Sequence, residues 1–496
     1  MARQPEKPRF AAAPSSRVYD AIVLGRSLGA AFAAALLARR GLRVLWAEQG
    51  GVAVTYPHQG FLWPTRALPL PALRAVPLLE DALTELGLTT QVSRALRPVV
   101  PALQLVLPRH RLDLPLDEAR RLAECTREFG NAGAHLAEVV KQLAVAHTAT
   151  DGFFRTKEAL PSSGLLARWR LRRALNGWTS LATPSPLSES EPAEHLLSRA
   201  TAFLVYQEAP GPLAVRRSLG QLLAGPQRFP GGQAGLQDVL RHRFEELGGT
   251  LLPADGLPDS GVQALSLEGG QPVGLDVRGS EASHRAAFLL SALDDAELLP
   301  LIPTALRTGK AAALHPLSPS HAVLSVHWVL PATALPQGLG EIAVVDDGSA
   351  VGACLVQVGP ARRVEARSDE PGLRLVTAAA VAPADVETAP VSRHAARIEA
   401  ALERLLPFAK SQLVARSIPQ LDSPQRVPSL LHPLLPRAAK ATWEGVGVPP
   451  TTPWPSLVRA GREVCPGLGL EGEVLAALGA VARVQQATQK RRPKGR

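Results

Sequence analysis

Six residues near the start of the chain, Gly25-Arg26-Ser27-Leu28-Gly29-Ala30, and one acid further on, Glu48, have the types and spacing for holding a dinucleotide. Such a site needs small residues where a strand turns into a helix. The backbone can then approach a pyrophosphate, whose charge rests on the helix N-terminus. Gly25 takes the first position of the G-x-G-x-x-G fingerprint, Ser27 the second and Ala30 the third, where alanine is tolerated. Arg26 and Gly29 complete the turn, and the Ser27 hydroxyl can donate to phosphate. Glu48 follows Gly25 by 23 residues, where a carboxylate can accept from a ribose 2′-hydroxyl.

The same residues also spell G-x-S-x-G, the nucleophile elbow of serine hydrolases, with Ser27 as nucleophile. An elbow needs earlier strands, or in patatin-like acyl hydrolases an upstream glycine-rich loop, to build its oxyanion hole. Only a polar segment precedes the first strand-like run here, and the elbow gives Glu48 no role. The dinucleotide reading is therefore preferred.

Other chemistry-bearing residues are dispersed. Arg109-His110-Arg111 has no partner at ligand spacing, and His110 and His327 read as solvated or core histidines. Cys125, Cys354 and Cys465 lie more than a hundred residues apart, so spacing gives neither a metal-ligand pair nor a disulfide framework, and a cytosolic setting follows. Trp169 among Arg168, Arg170, Arg172 and Arg173, with Trp178 beyond, reads as a solvated helix face more readily than as a nucleic-acid or membrane contact.

The elements that must position the motif are legible around it. Tyr19 to Gly25 has strand length, Leu28 to Arg40 is helix-forming and Leu42 to Ala47 is a second buried strand, which makes a β-α-β unit. From about 70 to 220 the pattern is helical, with Leu78 to Leu86 and Leu116 to Phe129 as examples. The latter carries Leu116, Ala119, Leu122 and Ala123 at helical spacing. A helix from Leu236 to Leu247 ends at Gly248-Gly249. Strand-like runs follow at Val262 to Leu267, Pro272 to Val277 and Ala286 to Leu290, the first two joined by Glu268-Gly269-Gly270. Further strands are expected at Ala322 to Val329, Ala353 to Val358 and Leu373 to Ala380, and an amphipathic helix at Ala395 to Leu406. Pro419 to Pro455 reads as irregular surface, and a last helix as roughly Gly472 to Gln489.

Composition bounds the class. At 496 residues with 46% hydrophobic and 20% charged, the chain is a globular protein expected to form two packed regions. Part of its net charge of +10 sits in the two tails, and the Ala, Leu, Pro and Arg excess resembles GC-rich bacterial coding bias; no nucleic-acid partner is expected. The tails make peripheral contact with an anionic (inner) membrane a subsidiary expectation for a cytoplasmic protein. No run reaches the ~20 apolar residues of a spanning helix. Leu28 to Ala38 does not read as an export signal, because Asp20 and Arg26 bracket the strand before it and Arg39-Arg40 follows it.

Three separated segments together resemble the FAD-dependent phytoene desaturase-like oxidoreductases, a branch of the amine-oxidase-like flavoprotein superfamily. Glu48-Gln49-Gly50-Gly51 is similar to a contracted form of the family's acid and Gly-Gly segment, and Gly60-Phe61-Leu62-Trp63-Pro64 to its next stretch. Pro230-Gly231-Gly232-Gln233 resembles the central P-x-G-G-M segment, and Val262-Gln263-Ala264-Leu265 the adenine-side strand. Ala460-Gly461-Arg462-Glu463-Val464-Cys465-Pro466-Gly467, followed by Gly469-Leu470-Glu471-Gly472, resembles the C-terminal segment and helix that approach the flavin.

The resemblance implies an α/β fold: a Rossmann-like FAD-binding domain from residues 18–70, 225–300 and 450–489, with an inserted mixed α+β substrate domain from 71–224 and 301–449. Residues 1–17 and 490–496 would be tails. FAD would contact Gly25, Arg26, Ser27, Gly29, Ala30, Glu48 and Val262 through its ADP half, and Gly461, Arg462, Gly469 and Leu470 through its flavin half. The implied reaction is oxidation, by desaturation, of a small apolar or isoprenoid-like substrate through hydride transfer to flavin. No catalytic acid or base is marked. Arg462 stands where the family carries an acid, Val52 where it often has arginine, and Ser27 where it has glycine. These departures define a second expectation, a cofactor-free relative of the fold.

Overall fold

A computed structural model describes residues 17–491, apart from residue 52 and stretches within 156–191, 254–260, 279–282, 305–315, 347–351, 366–368, 385–387, 423–431 and 438–444. Two sheets organise it. The first has strand order 262–268, 271–277, 284–291, 17–24, 44–47, 250–252, with Leu457–Arg459 also paired to 284–291. Strand Arg17–Leu24 runs parallel to both His284–Ser291 and Val44–Ala47. The chain thus leaves the first strand toward one side of the sheet and returns on its other side. A crevice opens at the carboxyl end of that strand, where open α/β sheets bind ligands.

The helix Leu28–Arg39 is alanine-rich for a reason visible in its packing. Every residue from Leu28 to Ala38 is buried, among the helices Pro77–Leu86, Gly232–Glu246 and Gly469–Arg491. Small side chains allow close approach on all sides, and the helix has no polar face to give to water.

The second sheet has order 415–417, 321–331, 369–383, 353–362, 342–346, 103–106, 111–114, with His432–Leu434 also paired to 321–331. It is antiparallel except between 342–346 and 103–106. Helix Thr388–Leu405 covers one face, and helices from 118–146 and 192–223 belong to the core on the other. A hairpin, Thr55–His58 with Phe61–Pro64, turns through Gln59 (φ 48°) and Gly60 (φ 77°), the paired positive angles of a tight β-turn. Its Tyr56 hydroxyl meets Ser417 Oγ at 2.6 Å, which ties the hairpin to the second sheet.

Several expectations need correction. Arg17 is the first residue of a strand, opposite His284, and not part of a tail. The helix expected from Leu116 begins at Glu118, where the Asp117 carboxylate accepts from Arg120 N at 2.8 Å. Its buried residues are Arg121 and Cys125, while Leu116 and Leu122 are exposed. The Arg121 guanidinium donates through Nη1 to the carbonyls of Pro115 and Leu116, and this arginine takes the inward place that an apolar stripe was expected to fill. Between Pro419 and Pro455, expected to be irregular, lie a short helix, Pro419–Asp422, and the paired strand His432–Leu434. Val52, Arg168, Arg170, Arg172, Trp178 and the residues before Arg17 lie outside the described residues; Trp169 is exposed, with Arg173 over its ring at 5.6 Å. No helix among the described residues is long and apolar enough to cross a membrane.

Candidate functional site

The crevice is built from the first strand outward. Gly25 turns with φ +123°, accepts the Trp46 indole N–H at its carbonyl (2.8 Å), and would press a Cβ against Ala292 at 3.0 Å. Ser27 caps the following helix, its hydroxyl accepting from Ala30 N at 3.2 Å. No histidine hydrogen-bonds Ser27 among the described residues, so the geometry gives it the role of a cap and not of an activated nucleophile. At Gly29 a Cβ would come within 3.1–3.3 Å of Ala460 O and Glu473, so this glycine sets the contact between the first helix and the last. Ala30 is fully buried. Gly461 sits so near Ala292 that a Cβ would lie 2.6 Å from its carbonyl oxygen.

Around this turn, side chains of the protein hold the groups that a dinucleotide would use. The Glu48 carboxylate accepts from Arg241 at 2.8 and 3.1 Å; burial raises its pKa and Arg241 lowers it. The Gln49 carboxamide lies along the Val262 backbone, its Nε2 donating to Val262 O at 3.1 Å and its Oε1 accepting from Val262 N. Glu473 Oε2 accepts from Gly29 N at 3.0 Å, at the helix N-terminus. Arg26 donates to Gly50 O at 3.1 Å. Arg462 pairs with Asp294 through Nε (3.1 and 3.2 Å) and Nη2, so its unexpected charge is balanced within the fold.

A cavity opens beside the turn, lined by Ser27, Arg66, Tyr206, His432, Arg462 and Glu473 among others. The Tyr206 hydroxyl bonds Glu473, and burial together with that carboxylate pushes its pKa up. Glu297 accepts from Gly51 N at 2.9 Å and closes a capping box with Asp294. His432 holds Thr65 Oγ1 at 2.6 Å, and burial, then Arg66 and Arg462, keep it neutral. Arg66 stacks its guanidinium 4.5 Å over the Tyr206 ring, is 5% exposed, and leaves Nε and Nη1 without a hydrogen-bond partner.

A second cavity adjoins the first. Its walls come from the hairpin, the second sheet and the start of helix Gly232–Glu246, with Leu62, Leu68, Phe229, Ile342, Val358 and Leu375 as apolar lining. Gln357 and Thr377 add polar points. Val54, Arg66 and Gln233 line both cavities and mark where they join.

The sequence-marked residues therefore divide. Ser27, Leu28 and Arg462 line one cavity, Gly25 and Gly461 pack on Ala292 beside it, and Glu48 adjoins Gln49, which bonds Val262. Gly469 turns with φ +53° against Leu204 O, and Leu470 lines a separate recess with Leu68, Leu204 and Gln221. His327 is a core residue facing Thr377 Oγ1 at 3.1 Å, its pKa lowered to about 3 by burial, and His110 contacts Glu128 at 3.2 Å near the surface. Gln49 figured in the sequence reading only as part of a motif, whereas Arg66, Tyr206, Arg241, Asp294, Glu297, His432 and Glu473 were not marked. Only Glu473 carried a local signal, as a carboxylate within the apolar start of the last helix.

Three points of the crevice bear on FAD, the cofactor that the sequence resemblance implies. The Val262 N–H and C=O form a donor-acceptor edge of the kind an adenine edge matches. Glu48 directly follows the second strand, where its carboxylate could accept from a ribose hydroxyl, and Gly29 N, at a helix N-terminus suited to an anion, already holds the Glu473 carboxylate. What occupies these points is side chain and not backbone.

No family model matches the sequence, and no curated protein matches it. Solved structures do. An oxidoreductase from Methanosarcina mazei has a TM-score of 0.56 at 16% identity, over 95% of this chain and 100% of that one. Cyclohexylamine oxidase from Brevibacterium oxydans gives 0.56 at 16% identity, over 95% and 99%. A Pyrococcus furiosus protein gives 0.55 at 15%, over 94% and 97%. At these identities the similarity establishes the fold. The chain shares with these structures a fold of two parts, a Rossmann-type sheet and a second mixed region.

Proposed function

We propose that the chain is an FAD-dependent oxidoreductase that oxidises a substrate with an apolar body in the cavity walled by the hairpin, the second sheet and the start of helix Gly232–Glu246. One observation carries this reading: the crevice at the switch point of the first sheet runs into that cavity at Val54, Arg66 and Gln233. When bound, FAD supplies the hydride acceptor, which no side chain can replace. Glu48 and Val262 would hold the adenosine half, the N-terminus at Ser27 to Ala30 the pyrophosphate, and the Gly461 segment the flavin half. The apolar walls orient the substrate and exclude water. Desaturation of an isoprenoid-like compound remains within this reading as its finer form. The supporting fold is common to many substrates, so the chemistry is argued from the cavities.

A second reading, a cofactor-free member of the fold, is favoured by Gln49, Arg241 and Glu473, which satisfy the cofactor's contact points from within. Flavin binding by the purified full-length protein separates the two. Added FAD that stays with the protein through gel filtration, and is lost in Gly25→Val, supports the enzyme. Absence of any bound flavin, with no change in melting temperature, supports the scaffold.

A further inference from the structure

The geometry points to Arg66 as the receptor for the carboxylate of an apolar carboxylic acid, whose hydrocarbon body lies in the cavity walled by the hairpin and the second sheet. A guanidinium has five N–H donors and is always charged, and taking it out of water without partners is costly. Arg66 is 5% exposed, Nε and Nη1 are buried without a hydrogen-bond partner, and among the described residues its guanidinium is met by the Tyr206 face. The nearby carboxylates are committed elsewhere. Asp294 pairs with Arg462, Glu297 closes the Asp294 cap and holds Gly51 N, and Glu473 takes Gly29 N and the Tyr206 hydroxyl at the other end of the same ring. His432 is neutral and faces Thr65.

The place of Arg66 in the chain is also fixed. Thr65 Oγ1 donates to Ala53 O at 2.6 Å and meets His432, which anchors the backbone immediately before the arginine. The side chain lies where the two cavities join, with the apolar walls of the larger one beginning at Leu62, Leu68 and Val54. Among the described residues no acceptor is found for any nitrogen of Arg66, so its Nε–Nη2 edge, the edge by which Arg217 holds Glu471 in two parallel hydrogen bonds, is open at the end of an apolar chamber and suits the carboxylate head of a ligand with an apolar tail. As a substrate class this assignment rests on the oxidoreductase reading; as a binding site it does not.

The test uses full-length protein without added FAD, titrated calorimetrically with decanoate and with decanol below their aggregation limits. Decanoate is expected to bind at least about tenfold more tightly than decanol. Arg66→Met should remove that advantage while leaving decanol unchanged, and Arg66→Lys should keep part of it. Equal binding of the two probes to the natural protein, or undiminished decanoate binding by Arg66→Met, overturns the proposal. So does loss of FAD binding in Arg66→Met with decanoate unaffected, which would assign the guanidinium to the cofactor's phosphates. If Arg66→Met does not fold, the lysine variant and the decanoate-decanol ratio decide. Decanoate selectivity in a protein that binds no FAD would uphold the site and defeat the oxidoreductase reading alone.

Discussion

Two buried arginines sit in different regions of this molecule and are treated in opposite ways. Arg217, on helix Pro212–Leu223, is 1% exposed and fully partnered: Nε and Nη2 each lie 2.6 Å from Glu471, Nη2 reaches Asp151 at 3.0 Å, and Nη1 donates to His147 O at 2.7 Å and to Thr150. Gln221 satisfies Glu471 further at 2.8 Å, and Phe154 lies under the guanidinium at 4.3 Å. Arg66 is nearly as buried, yet it has an aromatic face and two empty donors. The lesson is about purpose. A charge whose every donor is matched by its own chain joins the helical insert to the C-terminal helix, whereas one left unmatched beside two cavities is kept for something that arrives.

The largest expected effect lies on the partnered side. Glu471→Ala leaves Arg217 charged and buried without its main partner, and chemical denaturation should show a loss of about 3–5 kcal/mol. A loss below about 1 kcal/mol would break the comparison. Next, Glu473→Ala frees Gly29 N and removes a negative charge from the place a pyrophosphate would take. FAD should bind about tenfold more tightly, or ~1.4 kcal/mol, in a fluorescence titration, and weaker binding would mean that Glu473 supports the cofactor. Gln49→Ala should act in the same direction but less, since it gives up neutral hydrogen bonds worth about 1 kcal/mol each.

A smaller effect concerns Glu463, buried beside Asp294 and Asp295. Burial first, then those two acids, raise its pKa well above the ordinary carboxyl value of 4.5. The folded protein therefore keeps a proton that the unfolded chain has released, and this group makes stability fall as pH rises above 4.5. Glu463→Gln should flatten that slope in melting curves recorded between about pH 5 and pH 8; an unchanged slope would place the titration elsewhere. The smallest effect is expected at Arg66 itself. With no hydrogen-bond partner found among the described residues and only the Tyr206 face to lose, Arg66→Met should change the melting temperature of the ligand-free protein little or raise it, and a drop comparable to that of Glu471→Ala would put both arginines in one class.

How much of this could be read from the sequence follows from distance along the chain. The β-α-β unit with Gly25, Ser27 and Glu48 was legible because its parts are local and its helix is apolar on every side. The resemblance of three short segments carried the rest of the fold. What stayed hidden depends on residues far apart. Arg66 becomes a distinctive group only beside Tyr206 and His432, and Arg462, an oddity in its motif, is explained by Asp294. Gln49 lies on Val262 across 213 residues of sequence. Periodicity also misled at Leu116 to Phe129, where Arg121 faces inward and Leu122 outward, because the carbonyls of Pro115 and Leu116, which precede the helix, accept from the guanidinium on its inner side.

The most direct test of the central claim is the visible spectrum of purified full-length protein and of Glu473→Ala, each incubated with FAD and passed through gel filtration. The account predicts flavin absorbance travelling with the protein, more strongly in Glu473→Ala than in the natural sequence. Folded protein that emerges colourless in both cases would contradict it.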